Sequence, residues 1–552
     1  MLVIVDFPEK RSRFAESFRQ AGMPAIVVST LGQFAAYPPD AVELGLDMAG
    51  NEWLRQPRMD TLSFLQAQAD RQDLVLIATD DTLEGEAIAA DLRDHLNHPN
   101  MHRVRLRSLE PVDVCDAIAR KEPLSNLNDG PAKAERVFDR LVSAYLARRG
   151  LNRGGRISAA ILNVMCAEPV SIGEVALSHR GYSAVVPIRS GDYALWKKRV
   201  SQFSSIGMQQ SGAPKLHEEV GSTCIEPYSM GELIGQVRKI NINYSVSEIA
   251  GALRGLFSAG QVTHPYTDSV CLRRRHLLEY AELARSMRQP IRNDLPSLEL
   301  IDGRVRGVHS APAPLILDRY KKRSPYSLSG LPLGDQLHMV AVGRIMDALM
   351  FHRSYRLTGS YWSGGTPEWL KNIPLEKAES VAGRMIPIDR ARTHTALSEH
   401  PADLVLLQLQ LKAGLGRPET WVANIDHFQS REWVNFETWC LTSAGESAAQ
   451  IVGQDELFDP ALSATVERLL SEMYRAARPV TFKEAFASLI QVYPRALVRS
   501  LSAMLAEAVS HEKAVRDSRN GARFGFQMGA LQSEMIEKQQ YKLGPLVNPF
   551  GS

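Results

Sequence analysis

The chain has 552 residues, of which 44% are hydrophobic and 23% charged, so it can bury several cores and is neither a disordered protein nor a small scaffold. Its 64 basic and 62 acidic residues give a formal net charge of +2, which excludes an interaction with nucleic acid through bulk charge. The five cysteines form no CxxC pair, and no apolar run reaches the roughly 18–20 residues of a membrane span. We therefore predict a cytoplasmic, multidomain protein with no membrane partner.

The N-terminal region alternates short apolar runs with stretches of helical periodicity. Strands are predicted at residues 2–5, 25–28 and 74–78, an edge strand at 104–107, helices at 11–20 and 84–96, and a linker at 121–133. This alternation predicts a small, mostly parallel α/β domain. Ligands of such sheets bind at the carboxyl ends of the strands, where Asp6, Asp80 and Asp81 lie.

The rest of the chain is mainly helical in pattern. Helical spacing covers residues 137–147, 159–165, 232–257 and much of 404–508, whereas residues 176–226 and 345–400 have weaker periodicity and are predicted to be β-rich. The pattern predicts a large mixed body behind the α/β head.

An acidic segment follows the apolar run at residues 74–78. Asp80, Asp81 and Glu84 come between the predicted strand and the first turn of the next helix. Carboxylates in this position can hold Mg²⁺, which prefers oxygen ligands. The alternative is a helix N-terminus whose acids interact favourably with the helix dipole.

This segment, ATDDTLEGEAIA at residues 78–89, follows VIVDFPEK at residues 3–10. Together they resemble the Toprim domain of type IA DNA topoisomerases, which has a strand ending in Glu-Ser-Pro-x-Lys and a later Ala-Thr-Asp-x-Asp-Arg-Glu-Gly-Glu. Further elements of that family match in the same order: VFDRLV (137–142), GRIS (155–158), PYSMGEL (227–233), GQVTHPYTDS (260–269), VHSAPAP (308–314), GLGRPETW (414–421) and LTSAG (441–445). The resemblance spans residues 3–445.

The resemblance implies the four-domain toroidal core of that family: an α/β Toprim head, a mainly α body and a β-rich arch. The implied segments are a Toprim domain (1–125), the first part of a helical base (126–175), the first arm of the arch (176–226), a nucleophile-position domain (227–329), the second arm (330–398) and the rest of the base (399–552).

The metal site of the family is only partly matched. By resemblance Asp6, Asp80 and Glu84 are the candidate Mg²⁺ ligands, but Thr82 stands where the family has its middle acid. Asp6 is also shorter than the family's glutamate. A site with fewer carboxylates should bind Mg²⁺ weakly or not at all.

The nucleophile position departs further. His264 stands where the family has its attacking tyrosine, and Tyr266 stands where it has an arginine. One interpretation is that Tyr266 attacks the DNA phosphodiester, with His264 or Lys10 as acid–base partner, since residues i and i+2 of a strand face the same way. The other is that Tyr266 packs or stacks on DNA without cleavage, because the shift displaces the hydroxyl by roughly 6–7 Å. His309 matches a catalytic histidine of the family.

Residues that hold DNA in the family are better matched. Arg156, Arg417, Thr420 and Trp421 correspond to positions that line its single-strand groove. Trp421 is equally compatible with a place in the core.

Three hypotheses follow. The first is an enzyme that nicks single-stranded DNA with Mg²⁺ and passes a strand. The second is a binding module that keeps the groove but not the chemistry, as a scaffold for a protein partner in a DNA-processing or defence complex. The third, a Toprim nuclease or primase, fits less well because the matches continue far beyond the head.

Overall fold

The computed structural model divides the chain into two compact units. The first comprises residues 1–35 and 57–494, and the second comprises residues 36–56 and 495–552. The described residues are 1–37, 45, 52, 55–151, 154–179, 182–205, 216–217, 222–223, 225–289, 291–292, 295–298, 309–317, 328–350, 352–357, 373, 376–380, 394–453, 455–495, 499, 503 and 506. Val308 of the matched VHSAPAP element, and the part of the last predicted segment beyond residue 506, lie outside them. The bounds of the six predicted segments stay a prediction.

The head is built on a five-stranded sheet. The strands of this region are β1 (Leu2–Val5), β2 (Ile26–Ser29), β3 (Ala35–Ala36), β4 (Gln56–Pro57), β5 (Val75–Ile77), β6 (Met101–Arg103) and β7 (Glu122–Pro123). Its helices are α1 (Arg11–Gln20), α2 (Met59–Ala69), α3 (Leu83–His95) and α4 (Pro111–Ala119). The sheet order is β2-β1-β5-β6-β7, with β1, β2, β5 and β6 parallel and β7 antiparallel to β6. The predicted α/β head is therefore confirmed.

The continuous apolar sequence of β1 reflects burial on both faces of the sheet. Leu2 and Ile4 join one core cluster, and Val3 and Val5 join another on the opposite face. Parallel strands covered on both faces show this pattern. Since β1 and β5 are parallel neighbours, the residues that follow their carboxyl ends meet at one edge of the sheet.

Two predicted elements of the head are wrong in position. The strand predicted at residues 104–107 lies at Met101–Arg103, between β5 and β7 rather than at an edge. The predicted linker at residues 121–133 contains β7 and the start of a helix at Gly130. β6 includes Arg103, whose side chain makes hydrogen bonds inside the head. Its sequence is therefore polar and lacks the apolar pattern that predicts a strand.

The start of α3 fixes the backbone at the acidic segment. The Thr82 hydroxyl caps the helix by accepting a hydrogen bond from the Gly85 backbone N–H at 3.1 Å. A Cβ atom on Gly85 would lie 1.9 Å from the Asp80 carbonyl oxygen, so only glycine fits there. Thr82 therefore has a structural role in place of the family's metal ligand.

The body is mainly helical. Its helices are α5 (Gly130–Arg148), α6 (Arg156–Ala167), α7 (Tyr193–Ser205), α8 (Met230–Ile240), α9 (Val246–Ser258), α10 (Arg274–Ser286), α11 (Leu333–Ala348), α12 (Ala402–Ala413), α13 (Trp421–Gln429), α14 (Ser443–Val452), α15 (Pro460–Arg475) and α16 (Phe482–Gln491). The helix predicted over residues 232–257 is two helices, because Ser245 and Glu248 form a capping box that begins α9. No helix among the described residues is long and apolar enough to cross a membrane.

An antiparallel sheet lies in the two segments predicted to be β-rich, except that its first strand begins before residue 176, at Ser171. Its strands are β8 (Ser171–His179), β9 (Tyr182–Arg189), β10 (Leu216–His217), β11 (Ser222–Thr223), β12 (His352–Leu357), β13 (Glu376–Ser380) and β14 (His394–Glu399), in the order β10-β12-β13-β9-β8-β14 with β11 also paired to β12. A further hairpin is formed by β15 (Val434–Asn435) and β16 (Cys440–Leu441). Strands distant in sequence thus share one sheet, as the predicted arch requires.

The segment predicted as the nucleophile strand is not a strand. Within residues 260–269 the structure contains a single bridge, between Val262 and Pro314. The Thr263 backbone N–H and hydroxyl donate to the carbonyls of Ala313 and Ala311, at 3.0 Å in both cases. Pro265, which lacks an N–H, follows this short pairing. The argument that residues 264 and 266 face the same way on a strand therefore fails.

Candidate active site and nucleic-acid cleft

A buried ion triplet lies where β1 and β5 end. Lys10 Nζ is 2.7 Å from Asp6 Oδ1 and 2.6 Å from Asp80 Oδ1. Asp6 and Lys10 are both buried. Burial and the nearby Asp80 carboxylate raise the pKa of Asp6 to about 6. Burial opposes charge on Asp80 too, but Lys10 and His264 hold the pKa of Asp80 well below its usual value.

The other acids of this segment have different surroundings. Asp81 Oδ1 accepts a hydrogen bond from the Tyr474 hydroxyl at 2.6 Å and lies 3.2 Å from Arg105 Nε. Against the effect of burial, these contacts lower the pKa of Asp81 to about 2. Asp81 therefore links the head to α15 and does not replace the missing middle acid.

As arranged, these residues do not fit a magnesium site. Among the described residues, no group of three His, Cys, Asp or Glu side chains is placed to hold a metal ion. An ammonium group lies between Asp6 and Asp80, and Thr82 caps a helix. The magnesium requirement implied by the resemblance stays a prediction.

Glu84 is half-buried among acids. Burial, reinforced by the carboxylates of Glu419, Asp6 and Asp80, raises the pKa of Glu84 to about 7. The folded state therefore binds a proton that the unfolded chain has released, and the contribution of Glu84 to stability is lost as pH rises from about 4.5 to 7. We expect Glu84→Gln to be more stable than the wild type by about 2 kcal/mol above pH 7 and equally stable near pH 4.

Urea denaturation of both proteins across this pH range measures the difference. Glu484→Gln is a control of opposite sign, because the hydrogen bond from Arg478 lowers the pKa of Glu484 to about 2. That variant should lose stability relative to the wild type at neutral pH. A stability difference for Glu84→Gln that does not vary with pH would contradict the assignment.

The three aromatic residues of the predicted catalytic set lie together. The rings of His264 and His309 are stacked with centroids 4.0 Å apart, and the Tyr266 ring meets His264 edge-on at 5.7 Å. His264 Nε2 is 3.6 Å from Asp80 Oδ1. His309 Nε2 is 3.0 Å from the Asp81 carbonyl oxygen. Burial, with His264 adjacent, lowers the pKa of His309 to about 3, so His309 is neutral at physiological pH.

These residues differ in access to a cleft of about 610 Å³. Tyr266 and His309 line the cleft, whereas His264 does not and is only 1% exposed. The residue at the nucleophile position therefore lies behind the wall of the cleft. Burial raises the pKa of Tyr266 above its usual value, which makes its phenolate costly to form.

Two predicted DNA-binding arginines belong to a buried ion network. Arg156 contacts Asp139 at 2.8 Å and Glu467 at 2.7 Å. Arg417 contacts Glu467 at 2.7 Å and binds both carboxylate oxygens of Glu135 at 2.8 Å. Their charges are thus already compensated, and only Arg417 lines the cleft. A DNA contact for either residue stays a prediction.

Thr420 and Trp421 have local roles. The Thr420 hydroxyl accepts a hydrogen bond from the Arg417 backbone N–H at 3.0 Å. Trp421 is buried against α8, where a Cβ on Gly231 would lie 2.9 Å from its ring. Trp421 also lines the cleft, so it is both a core residue and part of the wall.

Sequence reasoning missed one side of the cleft. It is formed by a face of α15 that includes Arg468 and Arg475. Arg468 pairs with Glu472 at 2.7 Å, and Arg475 lies 3.4 Å from Asp268. The seven-residue spacing of the two arginines, two helical turns, was the available signal.

Comparisons with known proteins find DNA topoisomerases. No protein-family profile matches the chain. DNA topoisomerase 1 of Treponema pallidum (strain Nichols) is 22% identical over 304 residues, which are 49% of this chain and 41% of that protein. DNA topoisomerase 1 type prokaryotic of Acanthamoeba polyphaga mimivirus is 30% identical over 162 residues, 29% of this chain and 18% of that protein. The matches thus span less than half the length of these curated relatives.

The fold is matched over most of the chain. Full-length topoisomerase I from Thermotoga maritima superimposes with a TM-score of 0.55 at 15% sequence identity, covering 90% of both chains. The predicted fold class is confirmed by this match. The chain is thus similar in sequence to DNA topoisomerase 1 proteins and shares the fold of a full-length topoisomerase I.

Proposed function

We propose that this protein binds single-stranded DNA in the 610 Å³ cleft and does not cleave it. The observation that carries the proposal is the face of α15, which presents Arg468 and Arg475 to the cleft about 10 Å apart along the helix. Tyr266 and Trp421 add aromatic surface to the same cleft. Proteins that bind single strands combine cations for the phosphates with aromatic side chains for the bases.

Acids on the cleft do not rule out an anionic ligand. Glu467 is compensated by Arg156 and Arg417, Glu419 lies 3.4 Å from Arg417, and Asp81 interacts with Tyr474. The remaining pairs, of Arg468 and Arg475 with their acids, are solvent-exposed and worth at most about 1 kcal/mol each. A DNA phosphate can therefore replace either acid at small cost.

The test is the salt dependence of binding. We expect the double variant Arg468→Gln/Arg475→Gln to bind a fluorescent single-stranded oligonucleotide more weakly than the wild type. The slope of log K against log salt should shrink by about 1.4, because each phosphate contact with a single strand contributes about 0.7. Fluorescence anisotropy over a salt series measures both quantities.

A matched control removes two other exposed, ion-paired arginines. Arg19 pairs with Glu16 and Arg478 with Glu484, and neither arginine lines the cleft. Arg19→Gln/Arg478→Gln should keep the wild-type slope. Equal slopes for the two double variants would refute binding along α15.

A second candidate function is cleavage and strand passage through Tyr266. It is favoured by the position of Tyr266 on the cleft wall beside His309, with Lys10 and Arg254 near enough to oppose the effect of burial on its pKa. The phenolate oxygen would form a bond to phosphorus while the bond from phosphorus to the 3′ oxygen breaks, and that oxygen would leave with a proton. Because the raised pKa of Tyr266 disfavours the phenolate that would have to attack, cleavage is the less favoured of the two functions.

Covalent trapping separates the two functions. The protein is incubated with a 3′-labelled single-stranded oligonucleotide, with and without Mg²⁺, then denatured in SDS. We expect no labelled adduct for the wild type. An adduct that disappears in Tyr266→Phe would overturn the non-cleaving proposal, whereas an adduct found only in His264→Tyr would support loss of cleavage at residue 264.

A further inference from the structure

We propose that the ammonium group of Lys10 takes the place of a divalent cation between Asp6 and Asp80, so that the wild-type chain binds no metal ion at this position. This ammonium group lies at the edge of the head sheet. The proposal holds whether or not the cleft binds DNA.

The first argument is charge compensation. Two ionised carboxylates buried side by side require a counter-ion, since otherwise one of them must bind a proton. One oxygen of each accepts a hydrogen bond from the same nitrogen, at 2.7 Å for Asp6 and 2.6 Å for Asp80. The pair therefore already has the cation that it requires, supplied by the chain four residues after Asp6.

Two aromatic rings near Lys10 also favour an ammonium group at this position. Its nitrogen lies 5.6 Å from the centroid of the Phe7 ring and 5.7 Å from that of Phe257. Aromatic faces at this distance attract an ammonium group. They offer no oxygen atoms, whereas Mg²⁺ requires six oxygen ligands at close to octahedral positions. The cage of two carboxylates and two rings is thus suited to an alkylammonium and unsuited to Mg²⁺.

The third argument is the fixed position of the triplet. Asp6 Oδ1 also accepts the Phe7 backbone N–H at 3.1 Å, and Lys10 follows directly in a short 3₁₀ turn, Pro8–Lys10. This turn brings the Lys10 side chain back to the Asp6 carboxylate. Asp81, another acid of this segment, is bound by Tyr474. A metal ion at this position would have to displace a buried ammonium group.

Mn²⁺ binding, read by electron paramagnetic resonance of the free ion, tests the proposal. The wild type should have no specific Mn²⁺ site at this position. Such a site would be recognised as Mn²⁺ binding that Mg²⁺ displaces and that Asp80→Asn abolishes. Lys10→Met, which leaves two carboxylates without a cation, should gain one Mn²⁺ site and should be stabilised against heat by Mn²⁺. The gained site should be lost again in Lys10→Met/Asp80→Asn.

Lys239→Met is the matched control, since it removes a lysine paired with Glu174 at 2.6 Å elsewhere in the chain. It should behave as the wild type. One Mn²⁺ ion on the wild type that is lost in Asp80→Asn overturns the proposal, as does a folded Lys10→Met that gains no site. If Lys10→Met fails to fold, the wild type and Asp80→Asn decide alone. Oligonucleotide binding is a separate readout, so failure here is distinguishable from failure of the proposed function.

Discussion

Glu86→Gln is expected to lower the free energy of unfolding by about 3–5 kcal/mol, the usual cost of removing one partner of a buried ion pair. The Glu86 carboxylate is fully buried and accepts hydrogen bonds from Arg103 Nε at 2.8 Å, Arg105 Nη2 at 3.0 Å and the Asn128 backbone N–H at 3.0 Å. Arg103 is itself buried, so the variant leaves a guanidinium group inside the head without its anion.

Urea denaturation followed by circular dichroism measures this loss. Glu16→Gln is the matched control, because it makes the same substitution in an exposed pair with Arg19. Such pairs add little stability, so the control should have the wild-type midpoint. Equal midpoints for the two variants would show that the buried carboxylate contributes nothing.

Arg156→Met is expected to lower the free energy of unfolding by a similar amount, about 3–5 kcal/mol. Without Arg156, Asp139 loses this partner, and Glu135 and Glu467 are left with Arg417. The folded variant should keep the wild-type affinity for a single-stranded oligonucleotide, because the Arg156 side chain does not line the cleft and Arg417 still compensates Glu467 there.

This pair of measurements separates a structural role from the DNA contact implied by the family resemblance. Arg120→Met, which breaks an exposed contact of 3.8 Å with Asp116, is the control for stability and should change it by less than about 1 kcal/mol. A stable Arg156→Met protein with weakened DNA binding would reverse the assignment.

The head could be predicted from the sequence because its signals are local. The helix predicted at residues 11–20 is α1, and the apolar runs at residues 2–5 and 74–78 correspond to β1 and β5. The predicted edge strand was misplaced because β6 is polar and depends on pairing with β7, which no local pattern reveals. The segment at residues 260–269 was misassigned since its backbone partners lie about 50 residues away, at Ala311 and Ala313.

The sequence could predict which residues belong to the candidate site, but not which of them form ion pairs with one another. The sequence identified Asp6, Lys10 and Asp80 as separate candidates, and only the structure shows that they form one ion triplet. Arg156 and Arg417 were predicted to contact DNA because no sequence motif marks Glu467 as the ion-pair partner that they share. Long-range ion pairs depend on which helices pack together, which periodicity does not specify.

The hydrogen bond between Asp81 and Tyr474 has a consequence for biosynthesis. Its two residues are 393 positions apart, and Arg156 and Glu467 are 311 apart. At about 5–20 residues per second, a ribosome delivers Tyr474 roughly 20–80 s after Asp81. The nascent head must wait that long for this hydrogen bond, so the N-terminal domain completes its contacts only after α15 has been synthesised. Chains truncated before α15 should consequently be the ones that chaperones retain.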